Sequence, residues 1–203
     1  MDKISKQMDL PISGWNWLEL CFRVRQDCAH ATQIFSAVGL GPRTLQALSL
    51  APARHEPYGS RVLFCSDDYE VKLLSWAVGA TCAPHDHGLS DGIIWLAQGR
   101  FLETHYIFNG TLELSGSTVH NETNTVLSID HNDIHSLLAA DGGTSLHIHF
   151  PPVHDMQVYD YKNRRTVTVR DECGAWIPCD KNQILDESEW QTPPSKLNPG
   201  LEI

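Results

Sequence analysis

The stretch GATCAPHDHGLSDGIIWLAQG, residues 79–99, places two histidines one residue apart inside a frame of glycines. On an extended strand, side chains at positions i and i+2 leave the same face, so the imidazoles of His85 and His87 can converge on one ion while Asp86 points away. The spacing of this frame is Gly79, five residues, His85, Asp86, His87, four residues, Gly92, six residues, Gly99. The pair makes His85 and His87 candidate metal ligands.

The composition indicates a globular protein of one domain. The 203 residues can bury one full core, and an excess of 25 Asp and Glu over 15 Lys and Arg gives a net charge of -10. That charge argues against nucleic acid or a membrane surface as partner, because both require a basic face. The six cysteines contain no CxxC pair and the first residues lack a signal-peptide core, so we expect reduced thiols and a cytoplasmic location.

Three segments follow from the hydrophobic pattern. Residues 1–52 show an amphipathic stripe with spacings of three and four, which predicts N-terminal α-helices. In residues 53–180 the period changes to two, and many short strands separated by turn signals predict an all-β, antiparallel barrel with the helices packed outside. Residues 181–203 are polar and contain proline, so we expect a loosely packed tail.

The glycine frame resembles the first motif of the cupins, in which a glycine precedes the HxH pair by the same interval. Most cupins have a metal-binding glutamate where this chain has Gly92. The segment DHNDIHSLLA, residues 130–139, is similar to the second cupin motif, and its His135 matches the remaining histidine ligand. The resemblance therefore implies a jelly-roll-like cupin barrel with three histidine ligands and no glutamate.

A more specific resemblance starts at the string SLHIHFPP, residues 145–152. This string and the glutamate-free site are similar to those of the thiol dioxygenases of the cysteine dioxygenase family. The chain resembles a divergent member of that family, of bacterial type. Tyr58, Trp76 and the run LAQGRFLETHY, residues 96–106, match the family as well. The resemblance covers roughly residues 15–165 and implies Fe(II) as cofactor, with oxidation of a thiol to a sulfinic acid by O2.

The ligands His85, His87 and His135 do not by themselves choose the metal. Three neutral imidazoles leave a divalent ion its full charge and open positions, which suits a thiolate plus O2, but imidazole ligation also accommodates Zn, Cu or Ni.

Three residues at alternate positions, Ser145, His147 and His149, share one face of their strand. The family has Ser-His-Tyr here, a hydrogen-bonded row beside the metal, so the resemblance assigns catalytic roles to all three positions. Because His149 replaces the tyrosine, we expect an altered proton donor whose protonation responds to physiological pH.

The substrate side of the site departs further from the family. The resemblance implies that Tyr58 and Trp76 line the substrate pocket and that an arginine two residues after the tyrosine binds a carboxylate. Here Arg61 arrives one residue late, which on a strand reverses its face. We take Arg61 as a candidate substrate-binding residue: either a bulge near Gly59 restores the geometry, or Arg61 is not the substrate clamp. Gly92 stands where animal members carry a cysteine that crosslinks to the tyrosine, so no such crosslink can form.

These features predict a mononuclear non-haem Fe(II) thiol dioxygenase that acts on a small thiol other than cysteine. Two alternatives remain open at this stage. One is a cupin metalloenzyme of another class, either a zinc hydrolase or hydratase, in which His149 could act as base, or an oxygenase of a non-thiol substrate. The other is a non-catalytic cupin that binds a small ligand.

Overall fold

The N-terminal part of the chain is helical. The structure is a computed structural model that describes residues 16–53 and 55–190. Helix α1 spans Trp17–Gln26, α2 spans Ala31–Ala37 and α3 spans Pro42–Leu48, with a short 3-10 helix at Cys28–His30. The side chain of Asn16 caps α1 by accepting a hydrogen bond from the backbone N–H of Leu18 at 2.7 Å.

Apart from a short 3-10 helix at Lys181–Gln183, the regular elements in the rest of the described chain are antiparallel strands. Their bounds are β1 Tyr58–Cys65, β2 Glu70–Trp76, β3 Ala80–Thr81, β4 Asp91–Gln98, β5 Phe101–Phe108, β6 Leu112–His120, β7 Thr125–Ile129, β8 Ile134–Ala139, β9 Gly143–Phe150, β10 Gln157–Asp160, β11 Arg165–Val169 and β12 Ile184–Glu189. Two sheets, with strand orders β1-β2-β9-β4-β7 and β3-β8-β5-β6, form the barrel, and β10-β11-β12 form a third sheet. The predicted all-β barrel with N-terminal helices is confirmed.

The five-stranded sheet is covered on both faces, and this decides which side chains reach the interior. On β9, Leu146 and Ile148 face a core that includes the helices, where Phe35 stacks on Trp95 of β4 with ring centroids 4.8 Å apart. Full burial of one such large apolar side chain stabilises the fold by roughly 1.5–3 kcal/mol. The alternate residues of the same strand therefore point into the barrel.

The C-terminal segment is more ordered than predicted. Instead of a loose tail from residue 181, β12 pairs with β11 along the third sheet, and Trp190 is buried and donates a hydrogen bond from Nε1 to Thr166 Oγ1 at 2.9 Å. The prediction failed because β12 is an exposed edge strand rich in acidic residues, whose composition resembles that of a tail. The predicted tail beyond residue 190 and the first 15 residues lie outside the described residues.

None of the helices within residues 16–53 and 55–190 combines the length and the hydrophobicity that a membrane crossing needs.

Candidate metal centre and cavity

Three histidines from two distant parts of the chain meet inside the barrel. His85 and His87 lie in the segment between β3 and β4, and His135 lies on β8. The backbones of His85 and His135 exchange two hydrogen bonds, at 2.9 and 3.0 Å, so the two residues lie side by side. One ligand atom from each of the three side chains lies within 4.8 Å of the others, and all three residues are buried. The predicted ligands are thus brought together.

Hydrogen bonds on the outer side of two rings fix their orientation. His135 Nδ1 donates to Glu103 Oε1 at 2.9 Å, and His85 Nδ1 donates to the carbonyl oxygen of Ala83 at 3.0 Å. Because a carboxylate and a carbonyl only accept, the proton is on Nδ1 and each Nε2 carries a lone pair. This is the tautomer that a metal ligand needs.

The donor atoms fit a divalent metal. His135 Nε2, on the opposite side of the ring from the Nδ1 bonded to Glu103, is buried and has no hydrogen-bond partner among the described residues. A buried unsatisfied polar atom costs about 1–3 kcal/mol, a cost that coordination of an ion would remove. Burial and then the neighbouring His135 lower the pKa of His85 to about 3, and burial and then His85 hold the pKa of His87 well below its usual range. Both rings are therefore neutral.

Glu103 on β5 is a functional residue that the sequence reasoning missed. Its carboxylate accepts hydrogen bonds from His135 and, at 2.9 Å, from His120 Nε2. Burial raises the pKa of Glu103, but these two hydrogen bonds and the charge interactions with His135 and His105 together outweigh burial and lower the pKa to about 2. The available signal was alternation: Glu103 lies two residues after the fully buried Phe101, so it shares an inward face on which a carboxylate is unusual.

A cavity of about 350 Å³ opens onto the three histidines. Trp76 and His147 line it, and Ser145 connects them: Trp76 Nε1 donates to Ser145 Oγ at 2.9 Å, and Ser145 Oγ lies 2.8 Å from His147 Nε2. Because the indole is only a donor, Ser145 accepts from Trp76 and is free to donate its own proton to His147. Of the predicted residues on β9, His147 and His149 line the cavity, and Ser145 supports His147 by this hydrogen bond.

His149 lies next to this row with its ring centroid 5.3 Å from that of His87. Neither ring nitrogen of His149 has a hydrogen-bond partner within the described part of the chain. Burial, then Lys72 and His135, lower the pKa of His149 to about 3. The expectation that His149 titrates near physiological pH is therefore wrong, because a buried imidazole beside an ammonium group stays neutral.

Gly92 explains how the ring of His149 fits. The two residues are cross-strand partners on β4 and β9, and a Cβ at position 92 would lie 3.0 Å from His149 Cδ2. The missing side chain at this position thus leaves the space that the imidazole occupies.

Tyr58 lines the cavity, as predicted. Its hydroxyl oxygen accepts a hydrogen bond from the backbone N–H of Ala175 at 2.8 Å, and its ring packs 4.6 Å from Trp76 and 5.3 Å from Trp176. Burial raises the pKa of the Tyr58 hydroxyl, which stays protonated. The segment around residue 175 therefore closes one side of the cavity, a contribution from after β11 that the sequence did not reveal.

Arg61 lies outside the cavity. The register between β1 and β2 is regular from Tyr58 to Val62, with no bulge at Gly59, and the cavity is lined by Tyr58 and Ser60. Arg61 therefore points to the opposite face of β1, and the prediction that it binds a substrate carboxylate is wrong. Ser60 occupies the position two residues after the tyrosine.

Two charged residues of β2 line the cavity instead, and the sequence reasoning missed both. Lys72 Nζ lies 2.8 Å from Glu70 Oε2, and the same carboxylate oxygen lies 3.9 Å from His149 Nδ1.

The barrel and its buried group of three histidines define a cupin with a site that can hold a metal ion. The sequence model of the family described as cysteine dioxygenase type I matches residues 56–162, and the chain belongs to this family.

Among solved structures, KdgF from Halomonas sp. is 15% identical, with 49% of this chain and 84% of that chain covered and a TM-score of 0.42. An RmlC-like cupin from Shewanella frigidimarina is 11% identical, with 52% and 86% covered and a TM-score of 0.43. An uncharacterised protein with a double-stranded β-helix domain from Klebsiella pneumoniae is 11% identical, with 55% and 86% covered and a TM-score of 0.47.

Proposed function

We propose that the protein is a mononuclear non-haem Fe(II) thiol dioxygenase that converts a small thiol, R–SH, and O2 into a sulfinic acid, R–SO2H. Both oxygen atoms enter the product, and O2 is the oxidant. The observation that carries the proposal is the buried group of His85, His87 and His135 at the wall of a cavity of about 350 Å³, a size suited to a small molecule. We place the reaction in the cytoplasm, the compartment expected from the cysteine pattern.

The three imidazoles would hold the metal with their lone pairs. A bound Fe(II) would supply a redox-active centre with open coordination positions. Glu103, behind His135, orients that ring and increases its basicity, as carboxylates behind ligating histidines do.

The residues around the centre would position the substrate and manage protons. Ser145 and Trp76 hold His147 in one orientation. His149 presents two unpartnered ring nitrogens near His87, so one can donate and the other accept a proton or hydrogen bond where the family has a phenol. Tyr58 and Trp76 form the aromatic wall that would contact the tail of the thiol.

Cysteine is a poor match for this cavity. Arg61 lies on the wrong face to bind its carboxylate, and Ser60 brings no charge to the family's arginine position. We therefore propose that the substrate is a thiol without the α-amino acid head.

The test is anaerobic loading with Fe(II) followed by oxygen uptake over cysteine, mercaptocarboxylates, cysteamine and heterocyclic thiols, with product mass showing the gain of two oxygen atoms. His135→Ala should abolish oxygen uptake, whereas His30→Ala, at an exposed histidine outside the barrel, should leave it unchanged. Cysteine as the fastest substrate would contradict the substrate assignment. Zinc in the active protein with no oxygen consumption would contradict the dioxygenase.

A further inference from the structure

We propose that Glu70 and Lys72 act together as a specificity pair that selects a thiol with a neutral tail, one that offers a hydrogen-bond donor and an acceptor side by side, such as a carboxamide or a nitrogen heterocycle. This inference rests on the proposed function and names the substrate class of the same cavity.

Glu70 and Lys72 lie beside the candidate metal centre, where the end of the thiol that is remote from its sulfur would bind. In the register of β2 with β9, Glu70 lies opposite His149 and Lys72 lies opposite His147, so both charges are in the row next to the metal centre. Their side chains are only 11% and 18% exposed, and both line the cavity. A thiol whose sulfur is held near the three histidines would bring its other end within reach of this row.

Each member of the pair has hydrogen-bonding capacity left. The Lys72 ammonium has three donors and lies 2.8 Å from Glu70 Oε2, an ion pair in which Oε2 has no hydrogen-bond partner among the described residues. A carboxylate can accept about four hydrogen bonds, so Glu70 can accept more than Lys72 supplies. A carboxamide edge, with N–H beside C=O, would satisfy one group of each kind at the same time.

The charge balance disfavours a charged tail. Glu70 and Lys72 neutralise each other. A substrate carboxylate at Lys72 would compete with Glu70 for that cation. A substrate ammonium at Glu70 would compete with Lys72 for that carboxylate. In a buried site an uncompensated charge costs more than the new contact gains. The other charged residues that line the cavity are the partly buried Glu56 and the exposed Arg170, Asp171 and Glu172. Arg170 donates from Nε to the backbone oxygen of Asn182 at 2.7 Å.

Stability alone does not account for the pair. Buried ion pairs are often no more stabilising than apolar side chains of the same size, and β2 has apolar residues at its next inward positions, Leu74 and Trp76. A purely structural role would predict that changes at Glu70 or Lys72 affect all thiols equally.

The experiment compares four thiols of similar size: 3-mercaptopropanamide, its isosteric carboxylate 3-mercaptopropionate, cysteamine as the cation, and 1-propanethiol as the apolar reference. For the Fe(II)-loaded protein, kcat/KM relative to propanethiol should be highest for the amide, by about tenfold or more over either charged thiol. The reason is that each charged thiol leaves either Glu70 or Lys72 without its partner of opposite charge.

Two single substitutions should shift the preference in opposite directions. Glu70→Gln frees the Lys72 cation and should raise the relative kcat/KM for 3-mercaptopropionate by about tenfold. Lys72→Met frees the Glu70 carboxylate and should raise it for cysteamine by a similar factor. The matched controls Glu113→Gln and Lys162→Met remove exposed charges away from this cavity and should leave the order of the four thiols unchanged.

Equal effects on all four thiols, or a wild-type preference for a charged thiol, would overturn the inference. Anaerobic titration calorimetry measures binding of the same thiols independently of turnover. If the wild-type protein oxidises none of them, the dioxygenase proposal fails, while the order of the dissociation constants still decides whether the pair selects a neutral tail.

Discussion

Glu103 is a buried carboxylate that orients one of the three candidate metal ligands, His135. It accepts the Nδ1 proton of His135 and so directs the Nε2 lone pair towards the other two histidines. We predict that Glu103→Gln weakens metal affinity by about 10–100-fold, because the amide lacks the charge that increases the basicity of the ring. Competition with a chelator measures this affinity.

The control for this prediction is Glu113→Gln, which removes an exposed carboxylate from the neighbouring strand. Unchanged affinity in Glu103→Gln would show that the backbone alone orients His135.

The three ligands could be predicted from the sequence, whereas the contact between Glu103 and His135 could not. His85 and His87 are related by the period of a strand, and His135 belongs to a motif of its own. Glu103 is 32 residues away from His135 along the chain, and only the pairing of β5 with β8 brings the two together. No local spacing records that contact.

The glycine that closes the first motif is required by the turn between β4 and β5. Gly99 has a φ of +101°, and a Cβ there would collide with the carbonyl oxygen of Gly142. We predict that Gly99→Ala lowers the free energy of unfolding by about 1–3 kcal/mol or more, because both the left-handed backbone and the collision oppose it. Urea unfolding followed by circular dichroism measures the loss.

Gly116→Ala is the matched control. Position 116 lies within β6, and an added Cβ would meet no atom within 4 Å among the described residues. Its unfolding free energy should change by less than about 1 kcal/mol. Similar losses in the two variants would contradict the argument from backbone conformation.

The positions of most strands were easier to predict from the sequence than the way in which the strands pair. Alternation and turn residues indicated the antiparallel barrel, and the same alternation predicted that Ser145, His147 and His149 share a face. Strand β12 was not predicted, because an edge strand exposes most of its residues and its sequence therefore lacks an apolar alternation. Its burial signal is Trp190, at the end of the described chain, which packs 5.6 Å from Phe108.

Metal binding should stabilise the protein as a unit, because the ligands join the segment after β3 to β8 and the unfolded chain cannot present all three together. At a free Fe(II) concentration of about 100 times the dissociation constant, linkage predicts about 2.7 kcal/mol of added stability. For a chain of this size that corresponds to a rise in Tm of roughly 5–10 °C, measured by anaerobic calorimetry with and without the metal.

His135→Ala should remove this metal-dependent rise, and His30→Ala should retain it. A rise in Tm of equal size in both variants would place the stabilising metal elsewhere in the protein.

The sequence by itself determined the barrel, the helical N-terminal segment, the three histidines and the row of β9, because each of these follows from a short-range period or motif. Only the tertiary structure decided that Arg61 lies on the face of β1 away from the cavity and that Glu103 supports His135. It also decided that β12 forms a strand and that Glu70 and Lys72 line the cavity. Those features depend on strand register and on contacts between residues far apart in the chain. A one-residue change in register exchanges the two faces of a strand, so the residues that contact the substrate are specified by packing and not by local spacing.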